Sequence, residues 1–344
     1  MPAPSFPRTN NLEWLRLIFA TQVVVMHSGE HLGFAVPGII SHFPGVPAFF
    51  FVSGFLIYAS YLNAPGRRYF ENRFLRLYPA LLFVTLGAAL IVLIAHGFHD
   101  LRDHFRVYGI WFVAQTTLGQ AYNPSLFRDV GVGVINGSLW TLTTEMLFYL
   151  TVPIVVWLEH RFRFAVLVLI GLSFAIYAAG PVFLGRALYG SKSLFDFLAL
   201  TPIVWGWMFG FGILALKNFN LVERGLKYLP VAVLPMTAMI LFGSGIMFGS
   251  VGNRLGLLYF ACYVCLVLWF GFAVPYVPLR FDLSYGTYVW HMPIINLLLV
   301  SKINPGITAF ILATVLTFAV ATLSWFVVEK PALKLKRRSL KPVH

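Results

Sequence analysis

Ten stretches of this sequence are apolar for long enough to cross a lipid bilayer, and no other feature constrains the fold so strongly. They fall near 12–29, 45–64, 78–96, 138–157, 164–183, 196–216, 228–249, 255–274, 283–300 and 307–328. With 59% hydrophobic and 11% charged residues and a mean hydropathy of +0.81, the 344-residue chain has more apolar surface than a water-soluble domain could bury. The expected fold is all-α and polytopic, a single transmembrane domain over 1–330 of about ten helices, followed by a basic tail over 331–344. The opening MPAPSFPRTN lacks the charged n-region and short apolar h-region of a cleavable signal peptide.

Topology follows from Lys and Arg. A net charge of +13 would suggest nucleic acid for a soluble chain, but here the distribution of charge reads as membrane orientation, and nucleic acid is not an expected partner. With the N-terminus inside, the cytoplasmic segments hold Arg8, Arg67, Arg68, Arg73, Arg76, Arg161, Arg163, Lys217, Arg224, Lys227 and Arg280. The tail adds Lys330, Lys334, Lys336, Arg337, Arg338 and Lys341. The opposite side has only Arg102, Arg106, Arg128, Arg186, Lys192, Arg254 and Lys302, a positive-inside bias that places both termini in the cytoplasm.

The first apolar run, NLEWLRLIFATQVVVMHSGEH, carries Glu13, Arg16 and His27. Arg16 and His27 are about three helical turns apart, within roughly 20° of one face and about 16 Å along the axis. An Arg inside a membrane helix costs roughly 2.5–3.5 kcal/mol, so it needs an aqueous or protein-lined face. Glu13 sits at the i, i+3 spacing that gives Arg16 a partner. Taken singly, Arg16 reads as snorkelling and His27 as a satisfied core residue. Their shared face favours function. His27, His31 and His42 lack the carboxylate that would complete a metal set, and Cys262 and Cys265 read as core packing, so no metal is expected.

Other spans hold fewer polar residues. Ser53-Gly54 is a small notch in the second, serving either close helix packing or a substrate path. RRYFENRFLRLYPA reads as a basic amphipathic helix at the membrane surface, and Arg73 and Arg76 fit either anionic lipid or a ligand's phosphates. The segment VYGIWFVAQTTLG, between the third and fourth spans, is too short to cross, so it lies in the interface or re-enters. In the fourth, Glu145 lies inside the boundary with Thr141 and Tyr149 on its face. An intramembrane carboxylate is a functional candidate, and a His with an orienting acid suits general-base chemistry, so contact between His27 and Glu145 is expected. Gly206 and Gly210 form a packing motif, and spans five to eight carry no buried charge. His291 precedes Pro293, which frees a backbone carbonyl, so His291 reads either as a core residue bonded to such a carbonyl or as part of a site. Glu329 and Pro331 read as an interfacial stop.

Taken in order, these motifs resemble the membrane acyltransferase-3 family over essentially the whole chain. Its marker, a basic residue and a His separated by ten residues, is matched by Arg16 and His27. GVPAFFFVSGFLI matches a second motif through Gly45, Phe49, Phe50, Ser53, Gly54 and Phe55, and RFLRLYPA a third through Arg73, Arg76, Tyr78 and Pro79. SLWTLTTEMLFY supplies Trp140, Thr141, Leu142 and Glu145, the last one residue later than in the tightest form. DLSYGTYVWHMP and SWFVVEKP match the last two helices, with His291, Glu329 and Pro331. The family's usual Asp is replaced by Glu13. No hydrolase-like domain follows the last helix in this sequence, so the resemblance implies that such help is supplied separately or is unnecessary.

The resemblance implies transfer of an acyl group, usually acetyl, from cytoplasmic acyl-CoA as co-substrate to a hydroxyl of an extracytoplasmic glycan or glycolipid. A bacterial inner membrane is the implied location, and no bound cofactor is implied. His27 would take the hydroxyl proton with Glu145 orienting it or balancing its charge, while Arg73 and Arg76 hold the donor phosphates and Arg16 lines the donor's path. Ser53, Trp140, Tyr149, Glu13 and His291 would support the site. A covalent acyl-His and direct transfer are equally compatible. A transporter or flippase of an anionic or saccharide substrate, with Arg16, His27 and Glu145 binding an anion or relaying protons, is the alternative; no repeated half with paired broken helices supports it.

Overall fold

The computed structural model describes residues 6–338 apart from Ala121, Gly190, Ser191 and Lys227. Lys227 and Lys341, both used above for topology, and the rest of the tail over 339–344 lie outside the described residues. The chain is helical apart from two short antiparallel hairpins, β1 (Ala187–Tyr189) with β2 (Lys192–Ser193) and β3 (Ser250–Val251) with β4 (Arg254–Leu255). In order the helices are α1 (Leu12–Leu32), α2 (Gly45–Asn63), α3 (Arg67–Asp103), α4 (Phe105–Leu118), α5 (Trp140–Arg161) and α6 (Ala165–Phe183). They continue with α7 (Leu194–Leu198), α8 (Pro202–Lys217), α9 (Phe219–Gly225), α10 (Leu229–Phe242), α11 (Gly245–Phe248) and α12 (Leu257–Phe272). Last come α13 (Ser284–Val300), α14 (Ile307–Ser324) and α15 (Lys330–Arg338), with a π-helical turn over Trp325–Glu329.

A helix occupies each of the ten predicted stretches. Five helical stretches among the described residues are long and apolar enough to cross a membrane: Gly38–Asn63, Arg67–Asp103, Gly137–Arg161, Ala165–Phe183 and Ile307–Leu335. Several boundaries differ from expectation. The basic segment 67–80 and the third span form one helix, α3, which kinks at Gly97, where φ is 81°. The predicted sixth span begins instead as the short α7; α8 starts afresh at Pro202, where Thr201 Oγ1 accepts the Ile203 N–H at 3.2 Å. VYGIWFVAQTTLG falls in α4 and its C-cap Gly119; the helix exposes Phe105, Ile110 and Val113 on one side and buries Tyr108 and Trp111 on the other.

The chain divides into two compact units. One comprises Met1–Phe19, Gly38–Gly66 and Thr144–Arg280; the other comprises Ala20–Pro37, Arg67–Thr143 and Phe281–His344.

The first unit is packed by shape. A Cβ on Gly54 of α2 would lie 2.0 Å from the Phe209 carbonyl oxygen, and one on Gly212 of α8 would lie 2.1 Å from that of Phe51, so the two backbones touch. The notch at Gly54 therefore serves helix packing. Gly210 faces α6, where a Cβ would meet Ile170 at 2.4 Å. Phe148 stacks on Phe209 with centroids 4.0 Å apart, and Trp207 meets Phe260 edge-on at 4.8 Å. Pro181 leaves the Tyr177 carbonyl of α6 without its helical donor, and Arg254 Nη2 supplies one at 3.2 Å while its guanidinium sits over the Tyr177 and Phe195 rings. Glu159 lies two residues beyond the end expected for the fourth span. It is buried in the last turns of α5, accepting from Tyr58 and paired with Lys217.

The second unit is built around α13. Trp290 fills the space over Gly87 of α3, and Tyr285 donates to the Leu77 carbonyl at 3.0 Å. Small residues of α14, Ala309 and Ala313, let it pack closely on Met292, Ile295 and Leu298. Asn296, fully buried, ties down the segment after α4. Its Oδ1 accepts the Val132 N–H at 2.8 Å, and its Nδ2 donates to the carbonyls of Val134 and Ile135 at 3.0 and 2.9 Å. Gly131 passes so close that a Cβ would lie 2.0 Å from Asn296 Oδ1, and its φ of 57° is one that glycine adopts without cost. Beyond the kink at Gly97, Asp100 accepts from Tyr108 at 2.8 Å and pairs with His96, whose other nitrogen meets Asp129 at 3.0 Å. Burial and the adjacent Asp100 carboxylate push the Tyr108 phenol above its ordinary range. Glu329, read from sequence as an interfacial stop, is instead buried in the π-helical turn and accepts from Ser324 at 3.0 Å.

Candidate active site

α1 runs unbroken from Leu12 to Leu32, so the three-turn register between Arg16 and His27 is helical throughout. His27, half-buried, meets the fully buried His291 of α13, with Nδ1 2.9 Å from His291 Nε2 and the ring centroids 5.1 Å apart. The other nitrogen of His291, Nδ1, lies 2.6 Å from the backbone carbonyl of Tyr288, one turn earlier on its own helix. No further hydrogen bond joins the His27 ring to a described residue, and His31 stands next along α1 with its ring 6.1 Å away.

A buried chain of polar groups fixes this part of α13. The Tyr288 phenol is 2.7 Å from Thr141 Oγ1, and Thr141 also donates to the Ser138 carbonyl at 3.1 Å. Ser138 Oγ donates to Asn136 Oδ1 at 2.8 Å, and Asn136 Nδ2 donates to the Val289 carbonyl at 2.9 Å. Val289 lies four residues before Pro293, so its carbonyl is the one that the proline leaves without a helical donor. Asn136 takes that carbonyl, whereas His291 bonds that of Tyr288. Each buried polar group in this set therefore has a partner, which is the condition for holding a geometry inside an apolar medium.

At the other end of α13, Arg76 of α3 donates to Asp282 Oδ2 at 2.6 Å, and Asp282 Oδ1 accepts from Ser284 Oγ at 2.5 Å. Arg73, one turn before Arg76, has its guanidinium 5.9 Å from the Tyr69 ring. Arg76 is thus already held by a carboxylate, a partner that neither the lipid nor the phosphate reading of the pair included. Trp140, half-buried, opens α5 beside Thr141. In the first unit, Glu13 is exposed and Arg16 half-buried on the opening turns of α1, and Ser53 is half-buried on α2. Glu145 accepts from Tyr149 at 2.5 Å, as their shared face predicted. The hydrogen-bond partner found for His27 is His291, and that found for Glu145 is Tyr149.

Sequence reasoning missed Asp282, Asn136 and Asn296. Asp282 had a local signal, since an Asp two residues before a Ser at a helix start is a turn pattern. The two asparagines had none for their backbone links, because the N–H and carbonyl groups they bond lie far along the chain. A cavity of about 280 Å³ in the first unit, between α5, α6 and α8, is lined by Phe148, Ile170, Ile203, Phe209 and other uncharged residues, so it offers no group for proton transfer.

Comparison with known proteins gives the family. Residues 9–327 match the family model described as an acyltransferase domain. The chain belongs to the acyltransferase-3 family. It is similar to nodulation protein 10 of Rhizobium leguminosarum bv. viciae, 31% identical over 95% of this chain and 94% of that protein. It is also similar to an O-acetyl transferase of Shigella phage Sf6, 27% identical over 94% of this chain and 96% of that one. The peptidoglycan O-acetyltransferase OatA of Listeria monocytogenes is 24% identical over 94% of this chain, which covers 56% of its length. No solved structure matches the chain. The chain is thus a multi-pass membrane member of the acyltransferase-3 family, and its His27 and His291 are in hydrogen-bond contact.

Proposed function

We propose that the protein is an integral membrane O-acyltransferase that moves an acetyl group from cytoplasmic acetyl-CoA to a hydroxyl of an extracytoplasmic glycan or lipid-linked saccharide. In this reading all ten helices predicted from sequence cross a bacterial inner membrane, with both termini in the cytoplasm. The observation that carries the proposal is the family match over 9–327. The names of two similar proteins, an O-acetyl transferase and a peptidoglycan O-acetyltransferase, support acetyl as the group and a glycan as the acceptor.

The chemistry needs a base for the hydroxyl, a way to hold the donor, and a route for it. His27 takes the proton from the acceptor hydroxyl as its oxygen forms a bond to the thioester carbonyl carbon. The carbon–sulfur bond breaks, and the CoA thiolate recovers the proton from the imidazolium. Arg73 and Arg76 bind the donor phosphates, with Asp282 fixing Arg76. Arg16, partnered by Glu13, lines the donor's path, and Ser53, Trp140 and Tyr149 line the substrate path. Glu145 supplies the carboxylate charge that favours the imidazolium.

The test uses cells lacking the protein, complemented with wild type or His27→Ala at matched expression. Surface glycans and glycolipids are extracted and base-labile esters identified by mass spectrometry. Esters present with wild type and absent with His27→Ala are expected. Esters that persist with His27→Ala overturn the role of His27, and esters absent from both overturn the transferase and return the transporter.

A further inference from the structure

We infer that His291 is a positioning residue for this transfer, holding His27 in the tautomer that keeps a proton on Nδ1 and leaves the lone pair on Nε2. The role rests on the transfer reading above; the tautomer rests on the hydrogen bonds alone. A backbone carbonyl only accepts, so the 2.6 Å contact from His291 Nδ1 to the Tyr288 oxygen needs the proton on that nitrogen. A neutral His291 then has its lone pair on Nε2. That atom lies 2.9 Å from His27 Nδ1, and the proton between them must belong to His27. The lone pair of His27 therefore sits on Nε2, the nitrogen that bonds no described residue.

The opposite arrangement would make His291 a cation, with both nitrogens protonated. His291 is fully buried, and the hydrogen-bond partners found for its ring are a carbonyl and another imidazole. A buried cation with no carboxylate beside it is expensive, so the neutral chain from carbonyl to His291 to His27 is favoured. The three groups are rigidly mounted. Tyr288 and His291 share one turn of α13, and the Tyr288 phenol is anchored on Thr141.

The arrangement resembles the acid–imidazole pairs of hydrolases with the acid replaced by an imidazole that is itself oriented by a carbonyl. When the acceptor's proton arrives at His27 Nε2, the Nδ1–H bond to His291 is already in place. No dipole has to reorient as positive charge appears. An imidazole supplies a lone pair but no net charge, so orientation and charge balance become separate tasks. His291 performs the first.

The test uses the full chain in liposomes with ¹⁵N-labelled histidine, the His27 signals being assigned from their loss in His27→Gln. At a pH where the rings are neutral, His27 is expected to be protonated on Nδ1 and bare on Nε2, with a coupling to His291 Nε2 across the hydrogen bond. Protonation on Nε2 overturns the inference. In acetyl transfer, His291→Leu is expected to lower kcat by about 10²–10³-fold with both KM values within about twofold of wild type. His291→Gln, whose side-chain oxygen reaches the position of Nε2, is expected to recover kcat to within about tenfold. Full kcat in His291→Leu, or a loss confined to KM, overturns the role. Should the Leu variant fail to fold, His291→Met fills similar volume without an acceptor and carries the same expectation. Wild-type liposomes that form no ester refute the transfer itself, and the nitrogen spectra still decide the tautomer.

Discussion

The two units of this protein solve the same problem, ordering helices in an apolar surrounding, by different means. The first adds close contact to its buried polar links, which include Asn11 to the Phe270, Val274 and Pro275 carbonyls and Glu159 to Tyr58 and Lys217. Gly54 and Gly212 bring the α2 and α8 backbones together, and rings such as Phe148 and Phe209 stack across the remaining gaps. The second relies on buried polar links: Asn296 to three backbone groups, Asn136 to the Val289 carbonyl, Tyr288 to Thr141, and His291 to His27. Close packing fixes rotamers but does not choose between tautomers, whereas a satisfied hydrogen-bond network does. The unit that must present a particular nitrogen holds a connected chain of such bonds, from Asn136 through Ser138, Thr141 and Tyr288 to His291 and His27.

Four changes break or sharpen this contrast. The largest effect belongs to His27→Ala, expected to remove ester formation by at least about 10³-fold while leaving membrane insertion intact, read by mass spectrometry and protease accessibility. Next is Gly54→Leu, which drives a side chain into the Phe209 backbone and costs more than about 3 kcal/mol. It should yield no monodisperse protein on size exclusion, whereas Gly38→Ala, with nothing within 4 Å of the added Cβ, should behave as wild type. Asn296→Leu keeps the volume and strands one N–H and two carbonyls, for about 2–4 kcal/mol. Faster hydrogen exchange confined to residues 130–136 is the expected signature, and uniform exchange across both units would erase the contrast. The smallest is Arg73→Ala, expected to raise the donor KM about tenfold with kcat unchanged. An unchanged KM would return Arg73 to lipid binding.

The sequence made the helices legible because hydropathy and helix length are set by the same solvent, the bilayer core. It failed where a helix outlasts its apolar run: hydropathy ended the fourth span near 157, yet α5 continues to Arg161 and buries Glu159 with Tyr58 and Lys217. Glu329, one residue past the tenth predicted span, is buried in the same way. Within the candidate site, local spacing found the Glu145–Tyr149 contact, since i and i+4 on a helix must meet. It could not find the partner of His27, because His291 lies 264 residues away and no period links the two. The neighbouring proline gave half of the answer. Its freed carbonyl was foreseen, but the side chain that bonds it, Asn136, comes from a loop that only the folded chain brings near.

That pairing of Pro293 with Asn136 makes two positions depend on each other over evolutionary time. Replacing the proline by any other residue restores an N–H that competes for the Val289 carbonyl and leaves the Asn136 amide redundant. Losing the asparagine while the proline stays leaves a bare carbonyl inside the bundle. Pro181 and Arg254 stand in the same relation through Tyr177. In an alignment of relatives, each pair should change together or not at all.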